Sequence, residues 1–294
     1  MISKKSYGVD VAKYQPESLR VYAKAGAKYA IVQVSVSNSI VAPRAKAQIT
    51  SAKANNIMPM GYFYGCFGHS ATQAASEAHF AIKNAKSIGL PKGSYLGVDW
   101  ERTDNNVNGN VSQNTAAIIQ AMKVIRDAGY IPLLYSGADL LRNKINTKQI
   151  IKQFGTCLWV ASYPVSSRVN TANFNYFPSM DGVAIWQFTD NWHGLSVDGD
   201  INVIDLKGTT KKYASKSKWV KKSGTFILGE ALKIHTSPHI NSPAIAKLQK
   251  GSVIKYDATL QGPLRLWLRQ PRNNGKYGYV VGKDKYGKKL GKFK

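Results

Sequence analysis

Over the first 190 positions apolar residues fall in short continuous runs: 7–11, 29–36, 58–66, 95–100, 130–135, 157–161 and 183–188. Runs of that kind fit strands covered on both faces. Between them lie stretches with helical spacing and readable ends. Pro16 is predicted to open a first helix that stops at Gly26, and Ser70 or Thr72 to cap a third that stops at Gly89. Ser112 precedes Ile118, Ile119, Met122 and Ile125, one apolar face ending at Gly129, and Thr147 and Gly155 bracket a fifth helix. Five strand-helix units followed by strands with little helix between them predict an α/β barrel that finishes in bare strands. A doubly wound open sheet is the competitor. No Gly-x-Gly-x-x-Gly follows the first strand and no Gly-Lys-Ser/Thr loop occurs, so nucleotide binding has no support.

Beyond residue 206 the pattern changes. Residues 207–224, KGTTKKYASKSKWVKKSG, have linker composition. Short alternating segments follow at 225–228, 231–235, 252–257, 264–268 and 277–281, punctuated by Pro238, Pro243, Gly251, Gly262 and Asn274-Gly275. They predict a small all-β barrel. The expected organisation is a barrel over 1–206, a basic linker over 207–224 and a second domain over 225–294.

Charge sharpens that division. The 294 residues carry a net +25; residues 1–206 hold 20 basic and 13 acidic side chains, residues 207–294 hold 21 and 3. The C-terminal part is therefore suited to polyanions: nucleic acid, anionic membrane or the anionic polymers of a bacterial wall. Cys66 and Cys157 are too few for a disulfide framework, and the five histidines show no ligand spacing, so neither a metal nor a cofactor is expected. Met1 to Lys5 lead into Tyr7 without an apolar signal region, and no apolar run approaches the roughly 20 residues that cross a bilayer.

Candidate chemistry lies in carboxylates. Leu96-Gly97-Val98-Asp99-Trp100-Glu101 ends an apolar strand with two acids at i and i+2, which point to one face. A polar loop follows, at the rim where barrels carry active sites. Asp10 ends the first strand, and Asp198-Gly199-Asp200-Ile201-Asn202 closes the barrel portion. Clustered carboxylates split their pKa values, which suits glycoside hydrolysis, where one acid protonates the leaving oxygen. Tyr62, Tyr64, Tyr135, Trp159, Tyr163 and Trp186 stand at other strand ends, with flat rings fit for sugar faces.

These motifs resemble the glycoside hydrolase family 25 muramidases, the Chalaropsis-type lysozymes, and among them the endolysins of phages of lactic acid bacteria. The resemblance is carried by Gly8-Val9-Asp10-Val11 with Tyr14-Gln15, Asp99-Trp100-Glu101, Tyr135-Ser136, Leu158 to Tyr163, Ile185-Trp186-Gln187-Phe188 and Gly199-Asp200-Ile201-Asn202. It implies a (β/α)5β3 barrel that hydrolyses the β-1,4 bond from N-acetylmuramic acid to N-acetylglucosamine in peptidoglycan. By it, Glu101 takes the place of the general acid and Asp99 stabilises or orients the acetamido group. Asp10 and Asp200 shape the pocket, with Asp198 the alternative to Asp200. Tyr64, Tyr135, Trp159, Tyr163, Gln187 and Gln33 are implied as substrate-binding. Tyr64 stands where the family commonly has histidine, and Gln33 where a lysine or similar polar residue is usual. Retention or inversion stays open.

Residues 225 to about 282 resemble a bacterial SH3-like wall-binding domain through Leu248 to Gly251, Trp267-Leu268-Arg269 and Tyr277 to Val280. That makes the basic tail an expected anchor on peptidoglycan or anionic wall polymers, with neither nucleic acid nor membrane insertion expected, and raises local enzyme concentration there. The family habit adds synthesis in the host cytoplasm without a signal peptide and release at lysis through a holin. A chitinase-like hydrolase and a non-catalytic carbohydrate or nucleic-acid binder are the competing readings.

Overall fold

The computed structural model describes residues 1–102, 105–207, 219–240, 242–262, 265–284 and 287–294. It divides into two compact units, Met1–Tyr213 and Ala214–Lys294.

The first unit runs β1 (Tyr7–Val11), α1 (Arg20–Ala25), β2 (Tyr29–Val36), β3 (Ile40–Val41), α2 (Ala45–Ala54), β4 (Met58–Tyr64), α3 (Ala71–Ser87), β5 (Tyr95–Asp99), α4 (Val111–Asp127), β6 (Ile131–Gly137), α5 (Ala138–Asn143), α6 (Thr147–Phe154), β7 (Leu158–Ala161), β8 (Val183–Thr189) and β9 (Asp198–Asn202). The sheet order β1-β9-β8-β7-β6-β5-β4-β2, with β1 also paired to β2, closes eight strands into a barrel; β3 is a short hairpin partner of β2. Neighbours from β1 through β8 are parallel, while β9 is antiparallel to both β8 and β1. A closed barrel, not an open doubly wound sheet, is what the apolar runs encode.

Alternation along each strand sorts side chains between two cores. Val9, Ala30, Val32, Phe63, Leu96, Val98, Leu134 and Val160 pack outward against the helices. Tyr29, Ile31, Met58, Met60, Tyr62, Tyr95, Leu133, Tyr135, Trp159 and Ile185 fill the interior. The inward set turns polar toward the C-terminal ends of the parallel strands, which opens a mouth there. Gly8 belongs to this wall because Tyr29 lies against it: a Cβ would sit 2.2 Å from Tyr29 Cε2.

Several helix starts differ from the sequence reading. α1 begins at Arg20, four residues past Pro16, because the intervening loop is held instead by Gln48, whose Nε2 donates to the carbonyls of Ala12, Gln15 and Pro16. Asn110, not Ser112, caps α4, in a reciprocal box with Gln113. Ser70 does cap α3, accepting from Gln73 N–H at 3.2 Å. Asn146 rather than Thr147 caps α6, and α5 was not anticipated.

The second unit is one antiparallel sheet of β10 (Val220–Leu228), β11 (Leu232–His235), β12 (Ala244–Leu248), β13 (Val253–Gln261), β14 (Leu266–Pro271), β15 (Tyr277–Lys283) and β16 (Gly291–Phe293), in the order β12-β11-β15-β14-β13-β10-β16. Phe226, Leu228, Ile234, Ile254, Tyr256, Leu268 and Val280 form its core. Residues 220–224, expected as linker, are strand: Val220 pairs with Thr259 and Gly224 with Tyr256. Backbone pairing tolerates Lys221 and Lys222 because their side chains point into water. Linker positions 208–218 and the predicted strand start Leu264 lie outside the described residues.

Candidate active site

The mouth of the barrel encloses a cavity of about 240 Å³ lined by carboxylates and rings. β5 delivers Asp99 at its last residue, and Glu101 follows two positions later; both line the cavity. Asp99 is 5 % exposed, and its Oδ1 has no hydrogen-bond donor. Burial holds its carboxyl well above the usual range, and the neighbouring Glu101 charge pushes the same way. Glu101 is less enclosed; burial raises it, while the nearby Tyr135 hydroxyl opposes the rise. The deeper burial of Asp99 holds it further from ionisation than Glu101.

A second group of acids lies across the mouth. Asp10 is the next-to-last residue of β1, and the antiparallel register puts it directly opposite Asp198, with Asp200 opposite Gly8 one layer deeper. Because β9 runs against the other strands, its first residue, not its last, is nearest the mouth. Asp198 accordingly lines the cavity, whereas Asp200 is fully buried behind Trp159, whose Nε1 donates to Asp200 Oδ1 at 2.7 Å. The expectation that all these acids sit at strand ends fails at β9 for that reason. Burial raises all three: Asp198 reaches about 6, and Asp10 and Asp200 are held well above the usual carboxylate range. The charges of Asp198 and Asp200 add to the rise at Asp10, while hydrogen bonds with Asp10 oppose the rise at the other two.

Among the residues singled out as substrate-binding, Gln33, Tyr64, Tyr135 and Trp159 line the cavity. Tyr135 and Trp159 lie with ring centroids 4.4 Å apart, and Tyr62 meets Trp159 edge-on at 5.8 Å. Gln187 is 1 % exposed and does not line it. Tyr135 and Tyr163 donate to its Oε1 at 2.8 and 2.5 Å.

Residues 9–196 match the model for glycosyl hydrolases family 25. The chain belongs to this family. The lysozyme of Lactococcus phage mv1 is 45% identical over 179 residues, 60% of this chain and 89% of that relative. The lysozyme of Streptococcus phage Cp-7 is 33% identical over 193 residues, 65% of this chain and 52% of the relative, so the chain spans about half of that longer protein. Among solved structures, the modular Cpl-1 endolysin complexed with a peptidoglycan analogue superposes with a TM-score of 0.61 at 24% identity, covering 94% of this chain and 77% of the other. The last likeness is one of fold. The family and its phage relatives make the chain a glycoside hydrolase of the lysozyme type.

For this family 25 enzyme, one aromatic expectation is corrected. Trp186 is fully buried outside the barrel among Phe174, Phe177 and Phe188, with Nε1 on the Ser162 carbonyl. Since its neighbour Gln187 faces inward, alternation forces Trp186 outward. The cavity wall also includes Ala12, Tyr14 and Gln15, which the sequence reading did not assign to the site, although the last two stand in the motif after β1. Gln15 Oε1 accepts from Ala12 N–H at 2.9 Å and fixes the turn that presents Tyr14, which is 78% exposed at the rim.

Proposed function

We propose that the first unit, read as a (β/α)5β3 barrel, hydrolyses the β-1,4 bond between N-acetylmuramic acid and N-acetylglucosamine. The observation that carries this is the delivery of Asp99 and Glu101 by one strand end into one pocket, with a buried, donorless Oδ1 on Asp99. Glu101 is the general acid, its burial keeping a proton available for the leaving oxygen. Asp99 receives the acetamido N–H of the sugar. That donor favours ionised Asp99, leaving the proton on Glu101. The acetamido oxygen, so oriented, serves as the nucleophile at the sugar carbon. Asp198, once ionised, supplies the negative field opposite the developing oxocarbenium charge, Asp10 beside it shapes the pocket, and Asp200 fixes Trp159 as a ring wall.

The second unit is proposed to be an SH3-like anchor on anionic wall polymers or peptidoglycan, its basic surface raising the enzyme's concentration at the wall. Among the described residues no helix is long and apolar enough to cross a membrane. Release through a phage-encoded membrane pore belongs to the same proposal. Digestion of purified peptidoglycan tests the chemistry: reducing N-acetylmuramic acid ends are expected, and Glu101→Gln removes them. Preferential cleavage of chitin, or full activity of Glu101→Gln, overturns it.

A further inference from the structure

Strand pairing stops short of the proton donor. β5 ends at Asp99, and Glu101 lies two residues beyond it. The chain there is held by other means. Trp100 N–H donates to the Tyr135 carbonyl at 3.0 Å, and the Trp100 carbonyl, part of the peptide that carries Glu101, accepts from Ser136 Oγ at 2.7 Å. Ser136 is fully buried on β6. The Trp100 ring, also fully buried, packs with the outer core on the opposite side from the two acids. Its Nε1 donates to the Gly68 carbonyl at 3.3 Å.

Gly68 belongs to the turn between β4 and α3, and that turn is tied back to the segment after Glu101. Asn106, fully buried, makes the tie: its Nδ2 donates to the Gly65 carbonyl and its Oδ1 accepts from Gly68 N–H, each at 2.8 Å. Gly65 N–H in turn donates to the Asp99 carbonyl at 2.8 Å. The circuit Asp99, Gly65, Asn106, Gly68, Trp100 closes on itself, and one amide side chain replaces a missing strand pair. The two turns meet so closely that a Cβ on Gly68 would sit 2.6 Å from the Asn105 carbonyl oxygen. Val107, beside Asn106, is held at φ 64, a region that a β-branched residue rarely adopts. Strain of that kind persists only where the surroundings impose it, and it gathers at functional sites.

We propose that Ser136 and Asn106 are positioning residues for the proton donor: they fix the Trp100–Glu101 peptide, and through it the place of the Glu101 carboxyl relative to Asp99 and the leaving oxygen. The proposal rests on the reading of Glu101 as the general acid. Neither Ser136 nor Asn106 lines the cavity, so both act through the chain and not on the sugar. A donor misplaced by about 1 Å loses rate more than affinity.

Ser136→Ala removes one oxygen, and Asn106→Ala opens the circuit from its other side. Rates of the full chain on soluble glycan chains are measured across pH, beside melting temperatures. For each variant kcat should fall about ten- to thirtyfold while KM stays within about twofold. With its peptide released, Glu101 moves toward solvent and loses part of the burial that raises it, so the alkaline limb of kcat/KM should shift to lower pH by about half a unit. Asp99, Asp198, Tyr62, Tyr64 and Tyr135 are the titratable groups that respond to the Glu101 charge, and neither variant alters them. A merely structural role lowers the melting temperature and the folded fraction, and neither of those moves a pH limb. Because both residues act on one peptide, the double variant should lose less than the product of the two single losses. Parent-like kcat and pH limb in Ser136→Ala overturn the proposal, as does a loss confined to KM or a double variant whose losses multiply. Asn106→Ala gives the same reading if Ser136→Ala does not fold. Full activity of Glu101→Gln refutes the assignment of the acid and takes the proposal with it, a result distinct from those of the two variants.

Discussion

Gln187 Nε2 donates to Asp10 Oδ2 at 2.6 Å, joining β8 to β1 across 177 positions of sequence. On the other side of the amide, the hydroxyls of Tyr135 and Tyr163 both donate to its Oε1. One buried side chain thus orients two tyrosines and one carboxylate, and Gln187 acts beneath the cavity wall instead of on the sugar. Replacing it by methionine removes the donor to Asp10 and frees both rings. The expected result is a fall in kcat of about ten- to a hundredfold with a smaller change in KM, as for buried polar groups left without their partner. Gln187→Glu should be worse, since it adds an acid to Asp10, Asp198 and Asp200. Steady-state rates on soluble glycan chains check both.

Proton placement predicts the pH profile. A general acid must be protonated, and burial raises Glu101, so activity falls as pH rises through its raised pKa. Asp198 at about 6 loses its proton over the same region and contributes to the acid limb through the field it supplies when ionised. A bell with its maximum on the acid side of neutrality is expected in kcat/KM. Glu101→Gln should retain at most about a hundredth of the rate and lose the alkaline limb. A residual profile in Glu101→Gln with that limb intact would place the essential acid elsewhere.

Much of this site could be seen in the sequence, and the parts that could not share a cause. Continuous apolar runs located the barrel strands because both faces are covered, and Asp99-x-Glu101 was visible because i and i+2 share a face in any strand. Strand direction left no such trace. Asp198 and Asp200 face the same way, and only the reversed course of β9 makes Asp198 the shallow member and Asp200 the buried one. Trp186 and Gln187 are adjacent in one motif yet face opposite sides, which composition does not record. Asn110 was a missed signal: Asn-x-x-Gln is a readable capping box, overlooked beside Ser112.

Burial of Asp200 should be visible in stability. Its folded pKa is raised, so its contribution is fully present below the unfolded value near 3.9 and is lost as pH rises through the folded value. At neutral pH the ionised form is a liability. Asp200→Asn keeps an acceptor for Trp159 Nε1 and removes the charge. Thermal unfolding should show the variant a few degrees more stable at pH 8, with the gap closing toward pH 4. A gap that widens in acid would reverse the assigned direction.

Gly8 and Tyr29 close the barrel floor in a way that separates packing from polarity. A methyl at residue 8 would overlap the Tyr29 ring, and the ring has no room to retreat because Tyr29 is fully buried. Gly8→Ala should therefore cost about 1–3 kcal/mol through overpacking. It should also displace the ring, whose hydroxyl is raised by burial first and then by the charges of Asp200 and Asp10. That hydroxyl has no hydrogen-bond partner, so Tyr29→Phe gives up nothing and removes an unsatisfied polar group. It should be neutral or stabilising by melting temperature. If Tyr29→Phe destabilised the unit as much as Gly8→Ala, the hydroxyl rather than the ring would be what Gly8 accommodates.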